Sequence, residues 1–189
     1  DPQALDWLHD KVLDKDRVQV LARIAVADAL GRAGFKPAEA TLTGLLRHPS
    51  SQLRRAALKA LALIGNNTAV VEIAKASRRL QRDIEFQREA VRALCRLDPS
   101  DALEMLLALG NHRDVPLRTL AITALGKVAG EASLVRRIEA LSDPAWQVRS
   151  AALRALAGVH DVRVVDALLD AMEREDGVLL PQVVERLIA

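Results

Sequence analysis

One pattern recurs along this chain at a nearly fixed interval, and it leaves few folds open. After Arg149, apolar residues fall three, four, six, seven and ten places on, at Ala152, Leu153, Ala155, Leu156 and Val159. Thirty-one residues earlier the same series runs from Arg118 through Ala121, Ile122, Ala124, Leu125 and Val128. It returns after Gln87 (Ala90, Val91, Ala93, Leu94, Leu97), after Arg54 (Ala57, Leu58, Ala60, Leu61, Ile64) and after Arg23 (Val26, Ala27, Ala29, Leu30, Ala33). The steps between anchors are 31 residues, except for 33 between Arg54 and Gln87. A sixth, degraded copy at Leu180 keeps Val183, Val184 and Leu187 but loses the Arg and both Ala positions. At about 100° per residue, these offsets make one broad apolar helix face. A unit this short cannot bury such a face alone, so the units must stack. The Ala positions let neighbouring helices approach closely, while Leu, Ile and Val fill the gaps.

Between the anchored helices lie shorter segments with their own helical pattern, at 35–47, 68–80, 101–109, 132–141 and 162–172. Their expected inward residues include Leu42, Leu45, Val70, Ile73, Leu103, Leu106, Leu134, Val135, Ile138, Val165, Leu168, Leu169 and Met172. Prolines and glycines fall mostly between segments, where they punctuate helices. The sequence therefore predicts an all-α chain, a right-handed α-solenoid of antiparallel helix pairs. It would hold about five to six repeats of about 31 residues, in one domain over 1–189. Residues 2–13 read as half of a preceding unit and 179–188 as the start of a sixth. Neither end carries a polar capping helix, which a solenoid needs, so the chain is expected to be a piece of a longer one.

Composition narrows the function classes. Half of the residues are hydrophobic but only 2% are aromatic, which suits helix-on-helix packing and argues against a β-sandwich. A net charge of +2 does not by itself imply nucleic acid. The single cysteine, Cys95, allows no internal disulfide and reads as a partly buried, inert thiol. No run of 18 apolar residues offers a membrane span. His9-Asp10 and His160-Asp161 are far apart in the array, and no cluster has metal-ligand spacing. No phosphate loop or paired catalytic groups can be placed, so neither a cofactor nor an enzymatic reaction is assigned.

The turn and Arg ahead of Ala-x-x-Ala-Leu, closed by a glycine, are clearest at 53–65, 117–130 and 143–158. This pattern resembles HEAT-like repeats, especially the short bacterial type also found in phycobilin lyases. The resemblance covers essentially the whole chain. It implies a non-enzymatic scaffold that presents a concave surface to a protein or peptide partner. A lyase-like or chaperone-like module acting on a chromoprotein is the alternative it implies. Deoxyhypusine hydroxylase has a similar fold but carries His-Glu pairs; here the four histidines precede Asp10, Pro49, Arg113 and Asp161. The HEAT-like alkylpurine DNA glycosylases imply an aromatic groove, which two Trp, two Phe and no Tyr scarcely provide.

Three sets of charged residues stand out. Arg23, Arg54, Arg118 and Arg149 lie at the centre of the apolar face, where a charge must be paired or reach out to water. They read as a structural ladder bracing turn carboxylates such as Asp143 or Asp114, or loop carbonyls, rather than as a ligand site. Arg55, Lys59, Arg88, Arg92 and Arg96 point opposite the core, within a stretch, 47–96, holding eleven basic residues against four acidic ones. This outer face is either a basic patch for an acidic partner, weakly for nucleic acid, or simply a solvated surface. In arrays of the resembled kind the second helices line the concave side. Glu72, Lys75, Arg78 and Arg79, then Arg136 and Arg137, then Arg163 and Asp166 would lie there, grading from basic to acidic. That concave set is the expected partner site. Nucleic acid is disfavoured, because no aromatic residues interleave the basic ones. Trp146 is either an exposed anchor or a half-buried turn residue.

Overall fold

The computed structural model describes residues 1–15, 18–174, 181 and 183–185, all of them in helices or the turns between helices, with no strand among them. The chain forms two compact units, Asp1–Ala102 and Leu103–Ala189. The first holds α1 (Pro2–Leu8), which runs into a π-helical turn at His9–Leu13, then α2 (Val20–Arg32), α3 (Glu39–Leu45), α4 (Ser51–Ile64), α5 (Asn67–Arg79) and α6 (Ile84–Arg96). It closes on a 3-10 turn at Pro99–Ala102. The second holds α7 (Leu103–Gly110), α8 (Val115–Leu125), α9 (Glu131–Glu139), α10 (Trp146–Ala155) and α11 (Val162–Arg174), with a 3-10 turn, Ala140–Ser142, extending α9.

In the first unit the anchored helices α2, α4 and α6 lie side by side, with α3 packed on α4 and α5 on α6. In the second, α8 packs on α10 and on α7, while α9 touches α7, α8, α10 and α11. Anchored helices stacked on one another, each with a partner, make an α-solenoid. Helix starts follow the side chains that can accept orphan N–H groups. Ser50 accepts from Leu53 N, Asn66 from Thr68 N, Asp83 from Phe86 N and Asp114 from Leu117 N. The core is aliphatic: Leu30, Leu58, Leu61, Ile73, Leu94, Leu106 and Leu117 are fully buried, and Phe86 is a fully buried aromatic among them.

The Ala six places past Arg54 and past Arg149 has a specific use. A Cβ added at Gly31 would lie 2.7 Å from Ala60 Cα, and one at Gly126 would lie 3.1 Å from Ala155 Cα. Gly31 and Gly126 both sit eight places past an anchor, Arg23 and Arg118. Ala60 and Ala155 sit six past the next, Arg54 and Arg149. Backbones therefore meet at the same register in both units, and small residues on both sides set the spacing of the stack.

Two partner helices are rotated from the expected orientation. In α9, Ser133, Arg136 and Arg137 are buried while Val135 is exposed. In α11, Val164, Leu168 and Ala171 are buried, while Val162 is 71%, Val165 46% and Leu169 50% exposed. Helix α11 is apolar on more than one side, so periodicity leaves its rotation open. Packing against α9 and the 140–142 turn selects the row containing the smaller Val164 and Ala171. Helix α2 starts at Val20, and most of the expected sixth unit lies outside the described residues.

Two glycine substitutions test this packing with opposite signs. Gly31→Ala drives a Cβ into the Ala60 backbone and is expected to destabilise the chain by about 1–2 kcal/mol after its gain in helix propensity. Gly44→Ala, in α3 with open space around its Cβ position, is expected to stabilise by about 0.5–1 kcal/mol. Urea denaturation of both variants measures the two signs directly.

Candidate functional site

The anchors are engaged in bracing turns. Arg54 donates through Nη1 to the carbonyls of His48 and Pro49, both at 2.9 Å, and through Nη2 to Asp83 Oδ2 at 3.1 Å. Asp83 is the N-cap of α6, the anchored helix of the next repeat. Arg118 repeats the arrangement with a fork: Nη1 donates to His112 O and Arg113 O, while Nε and Nη2 reach Asp143 Oδ2 and Oδ1 at 2.9 and 2.8 Å. Arg149 donates to the carbonyls of Asp143 and Pro144 at 3.0 and 3.2 Å. Arg23 donates through Nε to Leu13 O at the end of the π-helical turn. Hydrogen bonding by Asp143, aided by its charge and that of Asp114, raises the pKa of the Arg118 guanidinium further above its ordinary value.

Gln87 fills the anchor position without charge. Its Nε2 donates to Ser77 O at 2.8 Å and Leu80 O at 3.0 Å, and its Oε1 accepts from the Ser77 hydroxyl. The amide braces the preceding helix end as the guanidiniums brace their turns.

The expected concave set divides into exposed and buried residues. Arg136 and Arg137, expected to face a partner, are only 8% and 6% exposed and correct that expectation. Arg136 Nη2 donates to the carbonyl of Gly110, the last residue of α7. Arg137 Nη1 donates to the carbonyl of Ala155, the last of α10, at 2.8 Å, and its Nε to Ser133 O. Both guanidiniums thus satisfy helix C-termini, where carbonyls lack intrahelical partners and the helix dipole favours a cation. This gives a physical reason for the rotation of α9: two helix-end carbonyls outcompete solvent for its Arg pair, and Val135 turns outward. Burial lowers the Arg137 pKa, but a guanidinium remains charged.

Of the remaining set, Glu72 accepts from Lys75 at 2.6 Å and from Arg47 at 3.3 Å, and its carboxyl is held below the usual range chiefly by the Lys75 hydrogen bond. Arg78, Arg79 and Arg82 are exposed around the end of α5 and line a depression of about 370 Å³ with Leu80, Gln81 and Asp83. Arg163 pairs with Asp161 at 2.8 Å and with Glu131, and its side-chain and backbone hydrogen bonds to Asp161 hold that carboxyl down to about 2. Asp166 is exposed on α11.

On the outer face, Arg88 pairs with Glu85 at 2.7 Å and Arg92 with Glu89 at 3.4 Å, so part of the basic excess is neutralised within α6. Arg96 is exposed. Arg55 and Lys59 line a groove of about 680 Å³ across α2, α4 and α6, with Leu21, Ile24, Ala25, Asp28, Gln52, Ala56, Glu85 and Glu89. Neither the groove nor the burial of Arg136 was legible beforehand; both depend on which neighbour each helix row meets. Trp146 is exposed at the start of α10 and Cys95 is half-buried on α6. Among the described residues no group of three His, Cys, Asp or Glu could hold a metal ion, and no helix is long and apolar enough to cross a membrane.

Repeat, anchor and stacking find counterparts in known proteins. Residues 5–79 and 73–137 match the HEAT repeats family, and residues 148–174 match the PBS lyase HEAT-like repeat. The chain belongs to the HEAT repeat family. Its fold is similar to the crystal structure of an engineered protein, Northeast Structural Genomics Consortium target OR329, at TM-score 0.68 and 21% identity, covering 98% of this chain and 94% of that one. A second engineered protein, target OR366, gives 0.61 at 22% identity, covering 97% and 96%. The complex of CpcE and CpcF of phycocyanin lyase from Nostoc sp. PCC7120 gives 0.56 at 18% identity, covering 100% of this chain and 82% of that one. No curated protein matches the chain.

The ladder predicts unequal costs at one position. Arg118→Ala leaves the nearly buried Asp143 without its fork and is expected to cost about 3–5 kcal/mol. Arg118→Lys keeps the charge but loses the planar fork and is expected to cost about 1–3 kcal/mol. Equilibrium denaturation ranks the two.

Proposed function

We propose that this chain is a non-catalytic scaffold that binds a protein or peptide partner through the exposed faces of its second helices. The observation that carries this reading is a difference in sign. Helix α5 and the turn after it expose Lys75, Arg78, Arg79 and Arg82, while α11 exposes Asp166, Asp170 and Glu173 beside Val162, Val165 and Leu169. The anchors and the buried arginines of α9 hold turns and helix ends, so the exposed surfaces are where binding chemistry resides. Opposite charges select partners and speed their encounter, and exposed aliphatic side chains add area to bury. Affinity capture with the wild-type chain, Arg78→Glu/Arg79→Glu and Asp166→Lys/Asp170→Lys tests the reading. Partners held by the wild type are expected to drop out with at least one charge-reversed pair, at unchanged circular dichroism. An identical partner set for all three proteins would refute it.

A second reading is supported by the PBS lyase HEAT-like match at residues 148–174 and by the likeness to the CpcE–CpcF complex of phycocyanin lyase. The chain would then act, as a lyase-like or chaperone-like module, on a chromoprotein. Incubating it with apo-phycocyanin and free bilin separates the two readings. A chain-dependent, covalently retained visible absorption band on the acceptor supports the lyase reading, and its absence excludes that activity for the chain alone.

A further inference from the structure

We infer that the groove across α2, α4 and α6 of the first unit binds an acidic peptide segment anchored by one apolar side chain. This rests on the reading of the chain as a protein-binding scaffold but uses a different surface, the outer face of the anchored helices. The groove, at about 680 Å³, falls within the ~300–1,000 Å³ of sites that take a small ligand or a few side chains. Its depth comes from small residues, Ala25 and Ala56, on adjacent helices, and its wall includes Leu21, 70% exposed. An occupant with one aliphatic side chain over Ala56 would cover Leu21 and Ile24.

Charge decides what else the occupant carries. The three lining acids are each answered on their own helix: Asp28 by Arg32 at 2.6 Å, Glu85 by Arg88 at 2.7 Å and Glu89 by Arg92 at 3.4 Å. Arg55 and Lys59 line the same groove, and neither makes an ion pair or side-chain hydrogen bond among the described residues. They lie four residues apart on α4, a spacing at which like charges oppose the helix. A neutral or basic occupant would desolvate both cations without compensation. An occupant with carboxylates over positions 55 and 59, about 6 Å apart along the helix, satisfies them and relieves their repulsion. No aromatic side chain lines the groove to stack a base, which sets an acidic peptide ahead of a nucleic acid.

Selection of random dodecapeptides displayed on phage against the 189-residue chain tests this. Selected peptides are expected to carry several Asp or Glu around one large aliphatic residue. A labelled synthetic copy is expected to bind Arg55→Glu/Lys59→Glu and Leu21→Ser about tenfold or more weakly, with the loss for the charge variant shrinking as salt rises. Binding to Arg78→Glu/Arg79→Glu is expected to stay unchanged, and all variants are surface changes whose folding is read by thermal melts. The inference is overturned if no peptide is selected, if the peptides are basic, if the Arg55/Lys59 pair can be reversed without loss, or if oligothymidylate displaces the peptide with equal affinity. Loss on Arg78/Arg79 reversal alone keeps the scaffold reading and overturns this one.

Discussion

The fork between Arg118 and Asp143 is the interaction on which the second unit's order depends. Asp143 is used three times. Its carboxylate holds Arg118 of the preceding repeat, one of its oxygens also accepts from Ala145 N, and its carbonyl accepts from Arg149 of its own repeat. A single turn residue thus joins two successive anchors. Arg54 and Asp83 repeat the logic in the first unit, with the carboxylate also capping α6. A guanidinium at the centre of an apolar face would ordinarily be a liability. Here carbonyls lie behind each anchor, and at Arg54 and Arg118 a carboxylate comes from the repeat ahead, so the charge becomes a joint between repeats.

Much of this was readable from one dimension. The offsets after Arg23, Arg54, Gln87, Arg118 and Arg149 locate the anchored helices because a one-sided apolar pattern has one way to be buried. The caps Ser50, Asp83 and Asp114 mark their starts because an orphan N–H needs a nearby oxygen. The role of the +6 Ala was partly legible. Its partner, the small residue at +8, was not, since a lone Gly31 or Gly126 in a helical pattern gives no sign of what lies opposite.

The surfaces were harder to read for the same reason. Arg136 and Arg137 look solvent-facing until the carbonyl ends of α7 and α10 are placed beside them. Val165 and Leu169 look buried until α11 is rotated onto Val164 and Leu168. In each case two rows of one helix could face inward, and the choice falls to neighbours far away in sequence. Arg55 and Lys59 show the converse. Their outward direction was plain, but that neither forms an ion pair among the described residues, against the pairing of Arg88 and Arg92, emerges only from distances between side chains.

Gln87 has a consequence for how such a chain could be rearranged. Cutting between Arg54 and Asp83, or between Arg118 and Asp143, would strand a guanidinium from its carboxylate. After Gln87 no charge of this kind is carried forward, and the boundary between the two compact units falls shortly after it, between Ala102 and Leu103. Neither Arg–Asp joint is severed by a break there. A neutral anchor therefore marks a point at which repeats could be duplicated, exchanged or grafted without separating either Arg–Asp pair.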